Sequence, residues 1–152
     1  ETKEFLLGLR EDLKTDTVEM NDDKDSYIKA GYIFQYITSR KLKEALNADT
    51  INKYKNWITN TTGLIPNNGR FEGFKSSGKI GTIENKELQN NIMDLYQEDI
   101  PSLITTTNAY VLRKEKLFEY FAANMKRTSD STTNLLSVLS TDQVYNICIG
   151  LN

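Results

Sequence analysis

EFLLGLREDLKTDTVEMNDDKDSYIKAGYIFQYI, residues 4–37, decides the fold class. Within it Leu6, Leu9, Leu13, Asp16, Met20, Asp23, Tyr27, Ala30, Phe34 and Ile37 follow at spacings of three and four, and eight of these ten are apolar or aromatic. Such a period lines one face of a helix. It predicts a helix over residues 2–40, on the order of 55 Å long. That exceeds an ordinary globular helix and suggests a coiled-coil-like seam. Asp16 and Asp23 weaken the middle of the seam, so a break or bend is expected near NDDKDS, residues 21–26. Gly8 and Gly31 also cost helix stability against alanine.

Outward from this stretch the same periodicity returns. A second helix is expected from Thr50 to about Asn60, capped by Asp49 or Thr50, with Ile51, Tyr54, Trp57 and Ile58 on its apolar face. The Gly, Pro and Asn-Asn-Gly punctuation of TTGLIPNNGR, residues 61–70, marks a loop. RFEGFKSSG, residues 70–78, reads as one or two helical turns stopped by Gly78 in the left-handed conformation. IGTI then serves as a linker with Ile80 and Ile83 as anchors. A strong helix starts at about Asn85, with Leu88, Ile92, Leu95 and Tyr96 on one face. Pro101 must bend or restart it, because proline lacks the amide donor and crowds the preceding turn. Apolar spacing resumes from Leu103 to Phe121 and ends near Lys126. TSDSTTN is a polar connection, and a last helix fits Ser140–Leu151 with Ser140 and Gln143 as a capping box. There is no β alternation and no internal repeat. The expected fold is all-α: an elongated antiparallel helical bundle with a long first helix and a helix bent near Pro101.

Composition narrows the function. The chain has 152 residues, a formal net charge of -2 and no histidine. One ordinary domain of this length can bury a real core. The near-neutral balance lacks the basic excess of a nucleic-acid binder, so no nucleic-acid partner is expected. Without histidine the commonest general base and the commonest metal ligand are both missing. The single cysteine, Cys148, can form neither an internal disulfide nor a multi-cysteine zinc site, and its apolar neighbours read as core. No apolar run approaches the roughly 18 residues that cross a bilayer.

Four candidate sites need weighing. GFKSSGKI, residues 73–80, falls one step short of a phosphate-binding loop. Ile80 stands where a Mg²⁺-holding hydroxyl belongs, no strand precedes, and the next helix starts too late to aim its N-terminus at a phosphate. A structural turn is the better reading, with Lys75, Ser76, Ser77 and Lys79 left as anion or partner contacts. Asn21, Asp23 and Asp25 match three positions of a calcium loop, but Ser26 and Tyr32 replace the required glycine and glutamate. Glu72, Glu84, Glu87, Asp94, Glu98 and Asp99 offer many carboxylate pairs, and acid-base work would require burial to tune them. The aromatics, Tyr27, Tyr32, Phe34, Tyr36, Tyr96, Tyr110, Phe118, Tyr120 and Phe121 among them, suit a core better than a ligand pocket. No metal and no cofactor are implied.

FEGFKSSGKIGTIENKELQNNIMDLYQ, residues 71–97, and TKEFLLGLREDLKTDTVEM, residues 2–20, resemble a family of single-pass membrane proteins from Bacteroidota, domain of unknown function 6090. Its opening helix is matched by Glu4, Phe5, Leu6, Leu9, Asp12 and Leu13. Its Lys-Ser-Ser-Gly box is matched by Phe71, Phe74, Lys75, Ser76, Ser77 and Gly78. The helix start that follows is matched by Asn85, Lys86 and Leu88, with Tyr96 one face further on. The family's final helix usually runs longer than the segment ending at Asn152. The resemblance implies that residues 1–152 are a single helical domain, the extracytoplasmic part of a membrane-anchored protein. A transmembrane helix would precede Glu1, and the domain would face the periplasm from the inner membrane. It implies no catalytic residue. The expected role is non-enzymatic: binding an envelope protein, self-association, or sensing a signal, with a small-molecule-binding sensor bundle as the alternative. In this reading the box from Phe71 to Gly78 clasps the loop to the bundle.

Overall fold

The computed structural model describes residues 1–152 and is all-α. Helix α1 (Thr2–Ser39) is followed by α2 (Ala48–Thr59), α3 (Gly69–Ser76), a 3-10 turn at Lys79–Thr82 and α4 (Lys86–Asp94). A π turn, Leu95–Asp99, joins α4 to α5 (Ile100–Asn124), and α6 (Leu135–Leu139) and α7 (Asp142–Ile149) close the chain.

The expected break at residues 21–26 does not occur: α1 is continuous for 38 residues. Asp22 and Asp25 point into solvent, where their charges are hydrated and leave the helix hydrogen bonds alone. The seam holds with one departure. Leu9, Asp16, Ala30, Phe34 and Ile37 are buried, whereas Met20 is exposed. Phe5 and Ile33, one step off the pattern, are buried as well. A straight helix of 3.6 residues per turn drifts against a 3.5 period, so the buried positions shift around α1 along its length. Arg40 finishes α1: its guanidinium donates to the carbonyl of Ile37 (3.4 Å), in the last turn that a helix end leaves unpaired, and to that of Glu44 (2.5 Å) in the loop beyond.

Helix starts follow side-chain chemistry closely. Asn47, rather than Asp49 or Thr50, caps α2 by accepting the amide of Thr50 at 2.9 Å. Asn85 caps α4 by accepting the amide of Leu88 at 3.0 Å. Thr141 caps α7 through the amide of Val144, and Ser140 instead closes the short helix α6 that the periodicity did not reveal. Before Pro101 the π turn lets the amide of Ile100 reach the carbonyl of Leu95. A regular turn would press the proline ring on the carbonyl of Gln97; a wider one relieves that crowding and lets the helix run on.

Two compact units form. The first comprises Glu1–Asp23 and Gly63–Thr107, around Phe5, Leu9, Phe71, Phe74, Ile83, Ile92, Tyr96 and Ile100. The second comprises Lys24–Thr62 and Asn108–Asn152, around Ile33, Phe34, Ile37, Ile51, Ile58, Leu117, Leu139, Val144 and Cys148.

Candidate functional site

The Lys-Ser-Ser-Gly box lies in the first unit, and most of it is occupied with folding. Phe71 and Phe74 are buried three residues apart on one face of α3. Phe71 stacks on Tyr96 (ring centroids 4.5 Å apart, planes within 11°), and Phe74 stacks on Phe5 (3.8 Å, 4°). These pairs tie α3 to the π turn and to the first turns of α1. Ser76 donates its hydroxyl to the Gly73 carbonyl at 3.1 Å, and Ser77 donates to that of Phe74 at 2.8 Å. Both therefore satisfy the end of their own helix. Gly78 has φ 73°, the left-handed region that a side chain disfavours. Lys75 sits 5.7 Å from the centre of the Phe71 ring. Lys79 pairs with the Glu1 carboxylate and, through that hydrogen bond and charge, holds its pKa below the ordinary carboxylate value.

Asn85 and Leu88 complete the set differently. Asn85 spends its side chain on the α4 cap, whereas Leu88 is 39% exposed. Leu88 is one wall of an open groove of about 450 Å³, with Leu6 and Leu7 of α1 and Ile83 as its other apolar surfaces. Leu7 is 44% exposed, so two large aliphatic side chains of the groove face water. Thr2, Lys3, Thr82, Glu84 and Asn85 form the polar rim. The structure thus gathers Phe71, Phe74, Lys75, Ser76, Ser77, Gly78 and Tyr96 into one clasp and leaves Leu88 to a neighbouring surface.

Two residues outside the candidate sites, Asp16 of the α1 seam and Lys114, are the most deeply buried charges of the chain. Asp16 is 3% exposed and takes the amide of Asn67 (3.2 and 3.1 Å) and its side-chain Nδ2 (2.5 Å). Nearby, Glu19 accepts the amide of Ile65, and Asp12 pairs with Arg70 at 2.8 Å. Arg70 crosses α1 at Gly8, where an added Cβ would run into its guanidinium group. The loop of residues 63–70 is therefore strapped along α1 by Asp12, Asp16 and Glu19. Tyr96 faces this cluster with a buried hydroxyl that has no partner. Burial, then the charges of Asp16 and Asp12, push its pKa up to about 12.

In the second unit Lys114 is 1% exposed. Its ammonium donates to the carbonyls of Trp57 (2.9 Å) and Asn60 and lies 5.6 Å from the ring centres of Phe34 and Tyr110. It neutralises the end of α2, where carbonyl groups carry partial negative charge. Burial pulls its pKa down to about 8. Tyr110, set edge-on to Tyr27 at 5.1 Å, and Cys148 are both pushed up to about 12 by burial. Cys148 is fully buried.

The six carboxylates considered for acid-base work all lie exposed. Asn21, Asp23 and Asp25 lie within α1. No group of three or more His, Cys, Asp or Glu is placed to hold a metal ion. No protein-family model, no curated protein and no solved structure matches this chain.

Proposed function

We propose that this chain is a non-enzymatic helical domain that binds a protein partner at the groove of Leu6, Leu7, Ile83 and Leu88. The observation that carries the proposal is the pairing of Leu7 and Leu88, both exposed and both lining one concavity. Large aliphatic groups kept in water around a concave surface gain about 25 cal/mol per Å² when a partner covers them. The groove floor is aliphatic, and its rim offers hydroxyls, an amide and one charge of each sign. That chemistry suits the apolar face of an amphipathic helix from an envelope protein. The non-enzymatic part of the proposal draws on Asp16, the one buried carboxylate, whose oxygens are already taken by Asn67. The periplasmic location and an anchoring transmembrane helix outside this sequence rest on the family resemblance. The unbroken α1 suits relaying a displacement along its length, the sensing form of the same role.

Full-length protein, tagged and cross-linked in intact host cells, tests the proposal. Carrying Leu7→Glu and Leu88→Glu together, it should lose an envelope protein that the unaltered chain retains. Identical sets of captured proteins would contradict the proposed contact surface. Retention of only the chain itself, lost in the double variant, would move the groove to self-association.

A further inference from the structure

A second concavity, of about 420 Å³, lies in the other unit between the α1–α2 loop and the α6–α7 corner. That volume falls within the roughly 300–1,000 Å³ of small-molecule sites. We propose that it binds a small amphiphilic organic anion. The acidic head would be held by Lys41 and Lys43, with the apolar body against Ile37, Leu42 and Tyr145. The proposal is independent of the groove in the first unit.

The loop is built so that its charges are not equivalent. Arg40 is committed to the carbonyls of Ile37 and Glu44. Glu44 accepts the backbone amide of Lys41 at 3.0 Å and returns its own amide to the Lys41 carbonyl at 3.0 Å. Both side chains therefore shape the loop. Lys41 and Lys43 line the same cavity, and neither ammonium has an ion-pair partner. Lys43 also holds φ 69°, a left-handed conformation adopted by no other non-glycine residue of the chain. A lysine is a poor occupant of such a position, where glycine or asparagine fits without cost. Leu42, between the two lysines, is 86% exposed. An apolar side chain in water between two unpaired cations at the mouth of a cavity is the arrangement an amphiphilic anion would complete.

The opposite wall refines the ligand. Ser140 donates its hydroxyl to the Leu136 carbonyl at 2.7 Å, so toward the cavity it can only accept. Asp142 is likewise an acceptor. Tyr145, 39% exposed, contributes an aromatic face and a phenol. A ligand with a hydroxyl or N–H opposite its acidic group would satisfy both walls; a simple dianion would be repelled by Asp142 and Glu44. The cavity thus selects an organic acid over inorganic phosphate.

The test is ¹H–¹⁵N chemical-shift titration of the whole chain with 4-hydroxyphenylacetate, octanoate and 1-anilinonaphthalene-8-sulfonate. Inorganic phosphate serves as the head-only control, and 4-hydroxyphenylacetamide as the neutral one. At least one organic anion should shift residues 40–45 and 140–145 together. The amide should bind at least about tenfold more weakly, as loss of a charge-assisted contact requires. Lys41→Gln with Lys43→Gln should weaken the anion by a similar factor without changing the melting temperature. Shifts confined elsewhere, silence with all three anions, equal binding of the amide, or an unaffected double variant would each overturn the proposal. An equal response to phosphate alone would overturn the part assigned to the apolar wall.

Discussion

At the scale of single residues the chain puts two charged groups where charge is expensive, and each is compensated differently. Asp16 meets three hydrogen-bond contacts from one residue, Asn67. Asp16→Ala would remove all three contacts, each to a charged acceptor, and leave the exposed Asn67 to water. Urea unfolding should show a loss of about 1–3 kcal/mol, and an unchanged midpoint would mean that the strap contributes nothing. Lys114 has carbonyl partners and no acid, so burial dominates its titration. Its pKa falls from an ordinary 10.5 to about 8. Between those values the unfolded chain holds a proton that the folded chain has released, so this group makes stability rise with pH across that window. Cys148 and the two buried tyrosines, Tyr96 and Tyr110, act oppositely above about 9 and 10, because their folded pKa values are raised to about 12. Comparison with Lys114→Met isolates the lysine. The stability of the unaltered protein relative to that variant should increase from pH 7.5 to 10.5 by up to about 3 kcal/mol. A difference independent of pH would contradict the assignment. Neither residue's role was legible in the sequence. The partner of Asp16 lies 51 positions away, and the partners of Lys114 are backbone carbonyls, which leave no mark on residue identity.

At the scale of elements local chemistry was far more readable. Asn85 announces α4, and Gly78 announces the end of α3, because an N-cap and a left-handed stop depend on one side chain each. The helix break expected at residues 21–26 failed for the complementary reason. Anchors on either side hold α1 whatever the solvated acids between them prefer: Leu9 and Leu13 before, in the first core, and after them Ala30 in the second core and Tyr27, bonded to the Thr62 carbonyl and set against Tyr110. The α7 cap was misplaced by one residue because Ser140 and Thr141 offer the same hydroxyl, and α6, only five residues long, is below the reach of periodicity. The clasp reading makes a prediction at this scale. A Cβ at position 78 would meet no neighbour, so any cost of substitution is a backbone cost. Gly78→Val should therefore lower the melting temperature by roughly 2–8 °C, and Gly78→Asn by clearly less. Equal melting temperatures for all three would remove the clasp as a structural device and return Lys75 and the serines to consideration as partner contacts.

At the scale of the whole molecule the all-α class followed from one long seam, since a sustained period near 3.6 cannot line a strand. The division of the core into two units was hidden, because both draw on α1 and α5 and no composition shift marks the change. The surface features that carry the functional proposals were hidden for a related reason. Leu88 reads as part of an apolar helix face and Leu7 falls outside the α1 seam, and the two become one groove only when α1 and α4 are set beside each other. The proposed partner contact lies at this groove and not at the box beside it. The measurement that tests it most directly places a photoreactive residue at Leu88 of the full-length protein in its host, with a second probe at exposed Leu112 as control. Irradiation should give one discrete heteromeric adduct from position 88, absent from position 112 and abolished by Leu7→Glu. No adduct at 88, or the same adducts from both positions, would contradict the claim.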